Sequence, residues 1–354
     1  MKQASCTPAS ACPLDIVCIG SALEDIFINV PVHDDATAFI RSNHLSISLG
    51  AKINVDYPLI EVGGGGTNTA MNFSIQGLKV GLLSKIANDD GGHLIRNRLE
   101  DARIDLRYLQ VDTDSAAHTG MSIILNVPQH DRSVLVNRGV SHGIDFDTVD
   151  WDQFKTVPWL YVASYGSPNE DDFERLAALA RDHDVKIAFN PSINQIKRGL
   201  KVIGPLIEAS VIVSMNRTEA TLLTKSKKNE RVTVLLDKMR DLCPGLTLIT
   251  CGASGVFAAD ANNRRYYIPP MKVNATSTLG AGDAFCSTFT ASIIKDGWDV
   301  PLALKRANVS AAHVIQEPGA QRGLLPIDDL DAELKTLNLS VDVLDKEMTP
   351  QPTP

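Results

Sequence analysis

The chain has 354 residues, of which 44% are hydrophobic and 21% charged, and this composition is typical of a globular enzyme with a real core. A formal net charge of −8 and an aromatic content of only 5% argue against a nucleic-acid partner, which requires basic surfaces and stacking platforms. Apolar runs fall short of the roughly 20 residues of a membrane helix, and the polar stretch before Pro13 is not expected to be a secretory signal. The sequence therefore predicts a cytoplasmic protein without a membrane partner.

Both ends of the chain have the composition of flexible tails. Residues 1–12 are rich in Ser, Ala, Thr and Pro, and residues 348–354 contain three prolines. Such segments form no helix or strand core. We therefore predict one folded domain over 13–327, with flexible tails at 1–12 and 340–354.

Between the tails, short β-branched runs alternate with helical stretches. This alternation predicts an α/β fold in which helices cover a mostly parallel sheet. The strand candidates are Asp15–Ile19, Val80–Leu83, Trp159–Ala163, Lys186–Phe189, Ser210–Ser214 and Leu246–Thr250. The helix candidates are Thr67–Gln76, Gly92–Ala102, Glu170–Asp182, Thr218–Leu223, Ala281–Ile294 and Pro301–Ile315.

Two stretches interrupt this alternation and have the pattern of extended hairpins. The first, Ile26–Val62, lacks helical periodicity and contains β-rich runs at Leu45–Leu49 and Ile53–Ile60. The second, Met121–Asn137, has two β-rich runs around a polar segment. We predict that strands from about 26–62 and 119–138 leave the main sheet and form a small lid, which would exclude water from an active site.

Four consecutive glycines, Gly63 to Gly66, precede the first helix candidate. Glycines in such a run permit close approach of the backbone to a ligand. The segment contains neither a Walker A motif nor a GxGxxG fingerprint. Taken alone, it is more simply explained as a flexible loop before a helix.

A second small-residue motif, Gly280-Ala281-Gly282-Asp283, follows a β-leaning run at Met271–Ala275 and opens a helix candidate. Small residues at a helix mouth let backbone amides converge, and the helix dipole adds partial positive charge. The motif can therefore form an anion hole, and Asp283 could accept the proton of an attacking hydroxyl. A tight strand-to-helix turn with an ordinary first-turn acid explains the same residues equally well.

In this order and with this separation, the two motifs resemble those of the PfkB (ribokinase-like) family of carbohydrate and nucleoside kinases. The resemblance covers roughly Leu14 to Pro326. It implies a ribokinase-like three-layer sandwich with a small β-sheet lid. It also implies an ATP-dependent kinase, with Mg²⁺ as a cofactor, which phosphorylates a sugar-like hydroxyl by direct in-line transfer.

The resemblance also implies a role for individual residues. It makes Asp283 the catalytic base and assigns an anion hole to Gly280, Ala281 and Gly282. The substrate-binding residues that it implies are Asp25, Gly64, Gly65 and Asn68. The nucleotide-binding residues that it implies are Asn216, Thr250, Gly252, Gly255 and Asn308. Glu219, in an Asn-x-x-Glu motif, would hold Mg²⁺ through water.

The sequence departs from the family pattern in two places. Ser277 stands where many relatives have an aspartate, so a carboxylate is lost from the monovalent-cation site that those relatives have. Ala87 replaces a glycine of the N-terminal signature, which alters a turn rather than a functional group. Neither change affects Asp283.

The sequence leaves the acceptor open among a free sugar, a sugar phosphate and the ribose of an adenosine-like nucleoside. Lys52 and Arg132 lie in the predicted lid, and either could contact a second phosphate, although solvent-exposed strand charges are the simpler explanation. The resemblance also allows a homodimer formed through the lid.

Two other classes of function remain open at this point. The first is a non-catalytic sugar or nucleotide sensor on the same fold, against which the intact Asp283 and Gly280–Gly282 argue. The second is a Rossmann-type oxidoreductase. It requires a dinucleotide fingerprint after the first strand, and the segment Gly20–Asp25 lacks one.

Overall fold

The computed structural model describes residues 13–32, 38–41, 44–127, 132–166 and 169–344. The predicted tail at 1–12, the end of the chain from 345 and residues 128–131 of the second predicted lid segment lie outside the described residues. The strands are β1 (Ile16–Ile19), β2 (Leu23–Asn29), β3 (Ala38–Arg41), β4 (His44–Ile47), β5 (Leu59–Gly63), β6 (Val80–Ala87), β7 (Leu109–Asp112), β8 (Gly120–Asn126), β9 (Ser133–Asn137), β10 (Trp159–Val162), β11 (Lys186–Phe189), β12 (Ile212–Asn216), β13 (Leu246–Thr250), β14 (Val256–Ala259), β15 (Arg265–Ile268) and β16 (Asp342–Leu344).

The helices alternate with these strands through most of the chain. They are α1 (Gly65–Ile75), α2 (Asp90–Asp101), α3 (Trp151–Phe154), α4 (Asp172–His183), α5 (Ile193–Ile196), α6 (Leu200–Ala209), α7 (Arg217–Leu223), α8 (Val232–Arg240), α9 (Ala281–Asp296), α10 (Val300–Val314) and α11 (Ile327–Leu334). Within the described ranges, no helix combines the length and apolarity needed to cross a bilayer.

Ten of the described strands form one central sheet in the order β16-β15-β14-β13-β12-β11-β10-β1-β6-β7. The strands from β13 to β7 in this order are parallel, and β14 to β16 continue the sheet antiparallel. The parallel strands are apolar because both of their faces are covered. Ile16 and Cys18 of β1 join the apolar cluster on one face, and Val17 and Ile19 join the cluster on the other.

Helices pack on both faces of this sheet. Helices α1, α2, α9 and α10 contribute to the first apolar cluster, and α4, α6 and α8 contribute to the second. This arrangement confirms the predicted α/β three-layer sandwich with a mostly parallel sheet. Because the carboxyl ends of parallel strands meet at one edge, the turns after β1, β12 and β13 lie on the same side of the molecule.

A smaller sheet with the order β5-β2-β8-β9 stands apart from the central sheet, as the predicted fold class requires. Its β2 and β8 are parallel, whereas β5 and β9 pair antiparallel with their neighbours. The strand predicted at Ile53–Ile60 is wrong except for its last two residues, because β5 begins only at Leu59. Pro58 comes immediately before β5 and has no amide hydrogen to donate to a strand ladder.

Two other predictions differ from the structure. The β-leaning run Met271–Ala275 is not a strand. It follows two prolines, and the amides of Thr276 and Ser277 donate to the carbonyl of Ile315 beyond α10 instead of to a neighbouring strand. The tail predicted from residue 340 is also wrong in part, because Asp342–Leu344 form β16 and pair with β15.

Strand β16 should therefore contribute to stability. Leu344 is 7% exposed and belongs to one of the two main apolar clusters, and burial of a leucine side chain is worth about 2 kcal/mol. We expect a chain ending at Ser340 to show a lower Tm and a lower free energy of unfolding than a chain ending at Lys346. Equal values from thermal and urea denaturation of the two chains would contradict the assignment of β16.

Candidate active site

Helices α1 and α9 carry the two small-residue motifs and pack side by side, since they contact each other directly. Asn68 Nδ2 on α1 donates a hydrogen bond to Asp283 Oδ2 on α9 at 2.8 Å, across 215 positions of sequence. The structure thus brings a residue predicted to bind substrate together with the residue predicted to be the base. Their contact lies where the first turns of the two helices meet.

Glycines allow this close approach at the start of α1. Gly64 has a φ of +97°, and a Cβ there would lie 2.5 Å from the carbonyl oxygen of Ser21. A Cβ on Gly20 would lie 2.6 Å from the amide nitrogen of Gly66, which itself donates to Ser21 O at 3.0 Å. The turn after β1 and the start of α1 therefore touch through their backbones, and larger residues would separate them.

A ladder of carboxamides continues the contact between α1 and α9. Asn72 Nδ2 donates to Ser287 Oγ at 2.7 Å and to Thr288 Oγ1 at 2.9 Å, and Gln76 Nε2 donates to Thr288 Oγ1 at 2.7 Å. With Asn68, these residues recur every four positions and so share one helix face. Sequence reasoning missed Asn72 and Gln76, although this spacing of carboxamides was visible.

The start of α9 has open space beside Gly282. Gly280 caps the helix with a φ of +78°, and a Cβ there would lie 2.6 Å from the Cβ of Ala320. A Cβ on Gly282 would meet nothing within 4 Å. The first amides of a helix lack intrahelical acceptors and carry the positive end of the dipole. An open face beside such amides fits a phosphoryl group.

Two acidic side chains of the site, Asp283 and Asp25, have pKa values raised to about 6. Burial raises the pKa of Asp283 to about 6, against the opposing hydrogen bond from Asn68. Burial likewise raises the pKa of Asp25 to about 6, a hydrogen bond from Ser122 opposes it, and the charge of Asp283 adds to it. Asp25 is only 5% exposed and lies against Gly63, where a Cβ would be 1.9 Å from Asp25 Oδ2.

Glu219 and Asn216 form a capping box at the start of α7. Glu219 Oε2 accepts from the backbone amide of Asn216 at 2.8 Å, and Asn216 Oδ1 accepts from the amide of Glu219 at 2.9 Å. Burial raises the pKa of Glu219, this backbone hydrogen bond opposes the rise, and the charge of Asp283 adds to it. Within the described ranges, no three His, Cys, Asp or Glu residues gather as a direct metal site.

The other predicted nucleotide residues lie beyond the ends of neighbouring strands. Asn216 and Thr250 pair at the carboxyl ends of β12 and β13. Gly252 and Gly255 follow in a turn with φ values of +53° and +82°. Asn308 Nδ2 donates to the carbonyl of Pro269 at 2.9 Å, so its carboxamide fixes the chain after β15. Its predicted contact with adenine stays a prediction.

Sequence reasoning missed most of the segment after α10. Gln321 Nε2 donates to Asn68 Oδ1 at 3.1 Å, which connects this segment to the contact between Asn68 and Asp283. Arg322 Nε donates to Glu61 Oε1 of β5 at 2.9 Å, which connects the same segment to the small sheet. Gly319, two residues before Gln321, was the signal that the sequence offered.

Arg132 and Lys52, the two predicted lid cations, differ in position. Arg132 Nη1 donates to the hydroxyl of Thr278, two residues before Gly280. Lys52 is exposed in the irregular segment before β5. Of the two, Arg132 lies against the loop that leads into α9.

Comparisons of the sequence with known proteins identify its family. Residues 15–328 match the pfkB family of carbohydrate kinases. The ATP-dependent ribose-1-phosphate kinase of Halopiger xanaduensis is 26% identical over 260 residues, which cover 73% of this chain and 82% of that protein. The 5-dehydro-2-deoxygluconokinase of Bacillus subtilis is 24% identical over 283 residues, which cover 76% of this chain and 85% of that protein.

Solved structures agree at the level of the fold. The structure of Arabidopsis thaliana ribokinase, complexed with ribose and ATP, has a TM-score of 0.74 and 17% identity, and the match covers 92% of this chain and 99% of that one. The ribokinase-like fold class is thereby confirmed. Since the family match spans most of the 354 residues, the chain is a phosphotransferase with an alcohol group as acceptor, and it belongs to the pfkB family of carbohydrate kinases.

Proposed function

We propose that this kinase uses ATP to phosphorylate a hydroxyl of a sugar or sugar-like molecule by direct in-line transfer, with Asp283 as the base. The observation that carries the proposal is the hydrogen bond from Asn68 to Asp283 beside the open first turn of α9. This hydrogen bond brings Asn68, a candidate for substrate binding, to the carboxylate of Asp283. Both lie beside the backbone amides of the first turn of α9. A general base must lie within hydrogen-bond reach of the proton that it removes.

Each residue has a defined part in the proposed reaction. The acceptor oxygen attacks the terminal phosphorus of ATP, the bond to the bridging oxygen of ADP breaks, and the hydroxyl proton passes to Asp283. Amides near Ala281 and Gly282 bind the oxygens of the transferred group. Asp25 and Asn68 bind acceptor hydroxyls, and Gly64 and Gly65 let the acceptor approach the backbone. Positioning and charge stabilisation supply most of the catalysis in phosphoryl transfer.

The nucleotide would lie along the turns after β12 and β13. Asn216, Thr250, Gly252 and Gly255 would contact its phosphates, and Asn308 its base. Mg²⁺, when bound, neutralises phosphate charge and retains part of its water shell. Glu219 would hold one of these waters, because its carboxylate lies at the same strand ends and interacts with the charge of Asp283.

A sugar phosphate is a second candidate for the acceptor. Arg132 lies against Thr278 beside the proposed phosphoryl site, and an arginine there would bind an anionic group. The curated relative named as a ribose-1-phosphate kinase supports the same choice. A free sugar and a nucleoside are the alternatives that the experiment below separates.

We further propose that the small sheet forms a homodimer through its edge. Strand β9 is the last strand of that sheet, and Val134, Leu135 and Val136 on it are 39%, 59% and 49% exposed. An apolar edge strand in a monomer is a template for pairing with another chain. A second copy of the same strand is a self-complementary partner.

The proposed activity is tested by an ATP-depletion screen across pentoses, hexoses, their phosphates and nucleosides. We expect ATP consumption with at least one acceptor, and Asp283→Asn to lower kcat by about 10²- to 10⁴-fold without loss of ATP binding. Normal turnover by this variant would exclude Asp283 as the base. ATP and acceptor binding without turnover by the unmutated protein would instead support a sensor.

The raised pKa of Asp283 also predicts a pH-dependent stability. Its folded-state pKa of about 6 exceeds the ordinary aspartate pKa of 3.8, so the ionised carboxylate costs stability above pH 6, and the cost disappears as the pH falls toward 4. We expect Asp283→Asn to be more stable than the unmutated protein at pH 7.5, by on the order of 2 kcal/mol. Urea denaturation from pH 4 to 8 measures the difference in free energy of unfolding between the two proteins. A difference that does not shrink toward pH 4 would contradict the raised pKa.

The proposed dimer predicts a specific effect of charge on β9. Leu135→Glu should convert the dimer to a monomer, because a buried unpaired carboxylate opposes association. Sedimentation at several protein concentrations measures this, and Leu200→Glu, at an exposed leucine of α6, is the matched control. A monomeric unmutated protein, or a dimeric Leu135→Glu variant, would refute this interface.

A further inference from the structure

Two buried carboxamides connect the segment after α10 to the proposed base. Gln321 Nε2 donates to Asn68 Oδ1 at 3.1 Å, and Asn68 Nδ2 donates to Asp283 Oδ2 at 2.8 Å. Gln321 and Asn68 are only 8% and 6% exposed, so water competes poorly for these groups. The three side chains therefore form a short chain of hydrogen bonds that ends on a carboxylate.

The direction of this chain follows from the chemistry of its last member. An ionised carboxylate only accepts hydrogen bonds, so the amino group of Asn68 must face Asp283. The carbonyl oxygen of Asn68 then faces Gln321 and needs a donor, because a buried unpaired acceptor is costly. The amino group of Gln321 is that donor. Without it, the Asn68 carboxamide loses one of the two hydrogen bonds that fix this orientation.

We propose that Gln321 is a positioning residue, which holds the Asn68 carboxamide in the orientation that donates to Asp283 and so favours the ionised form of the base. This inference rests on the proposed role of Asp283. Gln321 does not touch the reacting atoms and acts through Asn68 alone.

The backbone around Gln321 is itself fixed at several points. Gly319 has a φ of +96°, and Ala320 packs against the Gly280 backbone at the start of α9. Arg322 binds Glu61 of the small sheet. Gln321 thus lies in a segment that contacts α9, α1 and β5 together, which gives its side chain a defined position.

The other titratable groups near Asp283 do not supply the same effect. Asp25 on β2, Glu219 on α7, Tyr161 on β10 and Cys286 on α9 interact with its charge, and each of these groups is neutral or negative. The hydrogen bond from Asn68 is the interaction that opposes the effect of burial on Asp283. A change at Gln321 should therefore appear as a higher pKa of Asp283.

The test compares Gln321→Met, Gln321→Asn and the unmutated protein. Methionine keeps the length and removes the donor, whereas asparagine keeps the polarity but is too short to reach. The pKa of Asp283 is measured from the pH dependence of the stability gap between each protein and the same protein with Asp283→Asn. We expect it to rise by roughly half a unit or more in both variants. The acidic limb of kcat/KM should move in the same direction.

Gln316→Met is the matched control, because Gln316 lies in the same segment and its carboxamide donates to the backbone carbonyl of Ala312. It should leave the pKa of Asp283 unchanged. In an Asn68→Leu background, Gln321→Met should cause no additional shift, since both residues act through one bond.

An unchanged pKa of Asp283 in either folded Gln321 variant would overturn the inference, as would an equal shift in Gln316→Met or an additional shift in the Asn68→Leu background. A fall in Tm alone is what a purely structural residue would give. The test separates this inference from the proposed role of Asp283 as the base. If Asp283 is not the base, Asp283→Asn turns over normally, and the pKa obtained from stability still shows whether Gln321 acts on Asp283.

Discussion

The contact between α1 and α9 is the interaction on which the site depends. Each helix supplies a small-residue first turn, and the hydrogen bond from Asn68 to Asp283 joins these turns. Asn72 and Gln76 satisfy the hydroxyls of Ser287 and Thr288, so the two helices have one favourable register. A register fixed by hydrogen bonds holds Asn68 opposite Asp283 more strictly than apolar packing would, because carboxamides have directional requirements.

Much of the fold was predictable because its signals are local. The apolar runs of β1, β10, β11 and β13 and the periodic helices α9 and α10 lie within one or two residues of their predicted positions. Strand β16 was missed because a three-residue strand among polar neighbours has no periodic signal. The run at Met271–Ala275 has strand propensity but no neighbouring strand, and tertiary context decided its conformation.

The candidate site was predictable where short motifs define it, and not where long-range contacts do. The glycines around Asp283 mark its position in the sequence. The hydrogen bonds between Asn216 and Glu219 could be predicted from their three-residue spacing, which is that of a capping box. Nothing local to Gln321 indicates that its amide binds Asn68, 253 positions earlier. The contact of Arg132 with Thr278 likewise joins segments that are 146 positions apart.

The separation of Asn68 and Asp283 by 215 positions also bears on how the protein is made. A ribosome releases the chain from its amino end, so β1 and α1 emerge long before α9 and α10 exist. Until then the polar face of α1 has no partner, and a growing chain must hold it in water or against a chaperone. Such distant pairing slows folding. The contact between Asn68 and Asp283 can therefore form only after α9 has been synthesised.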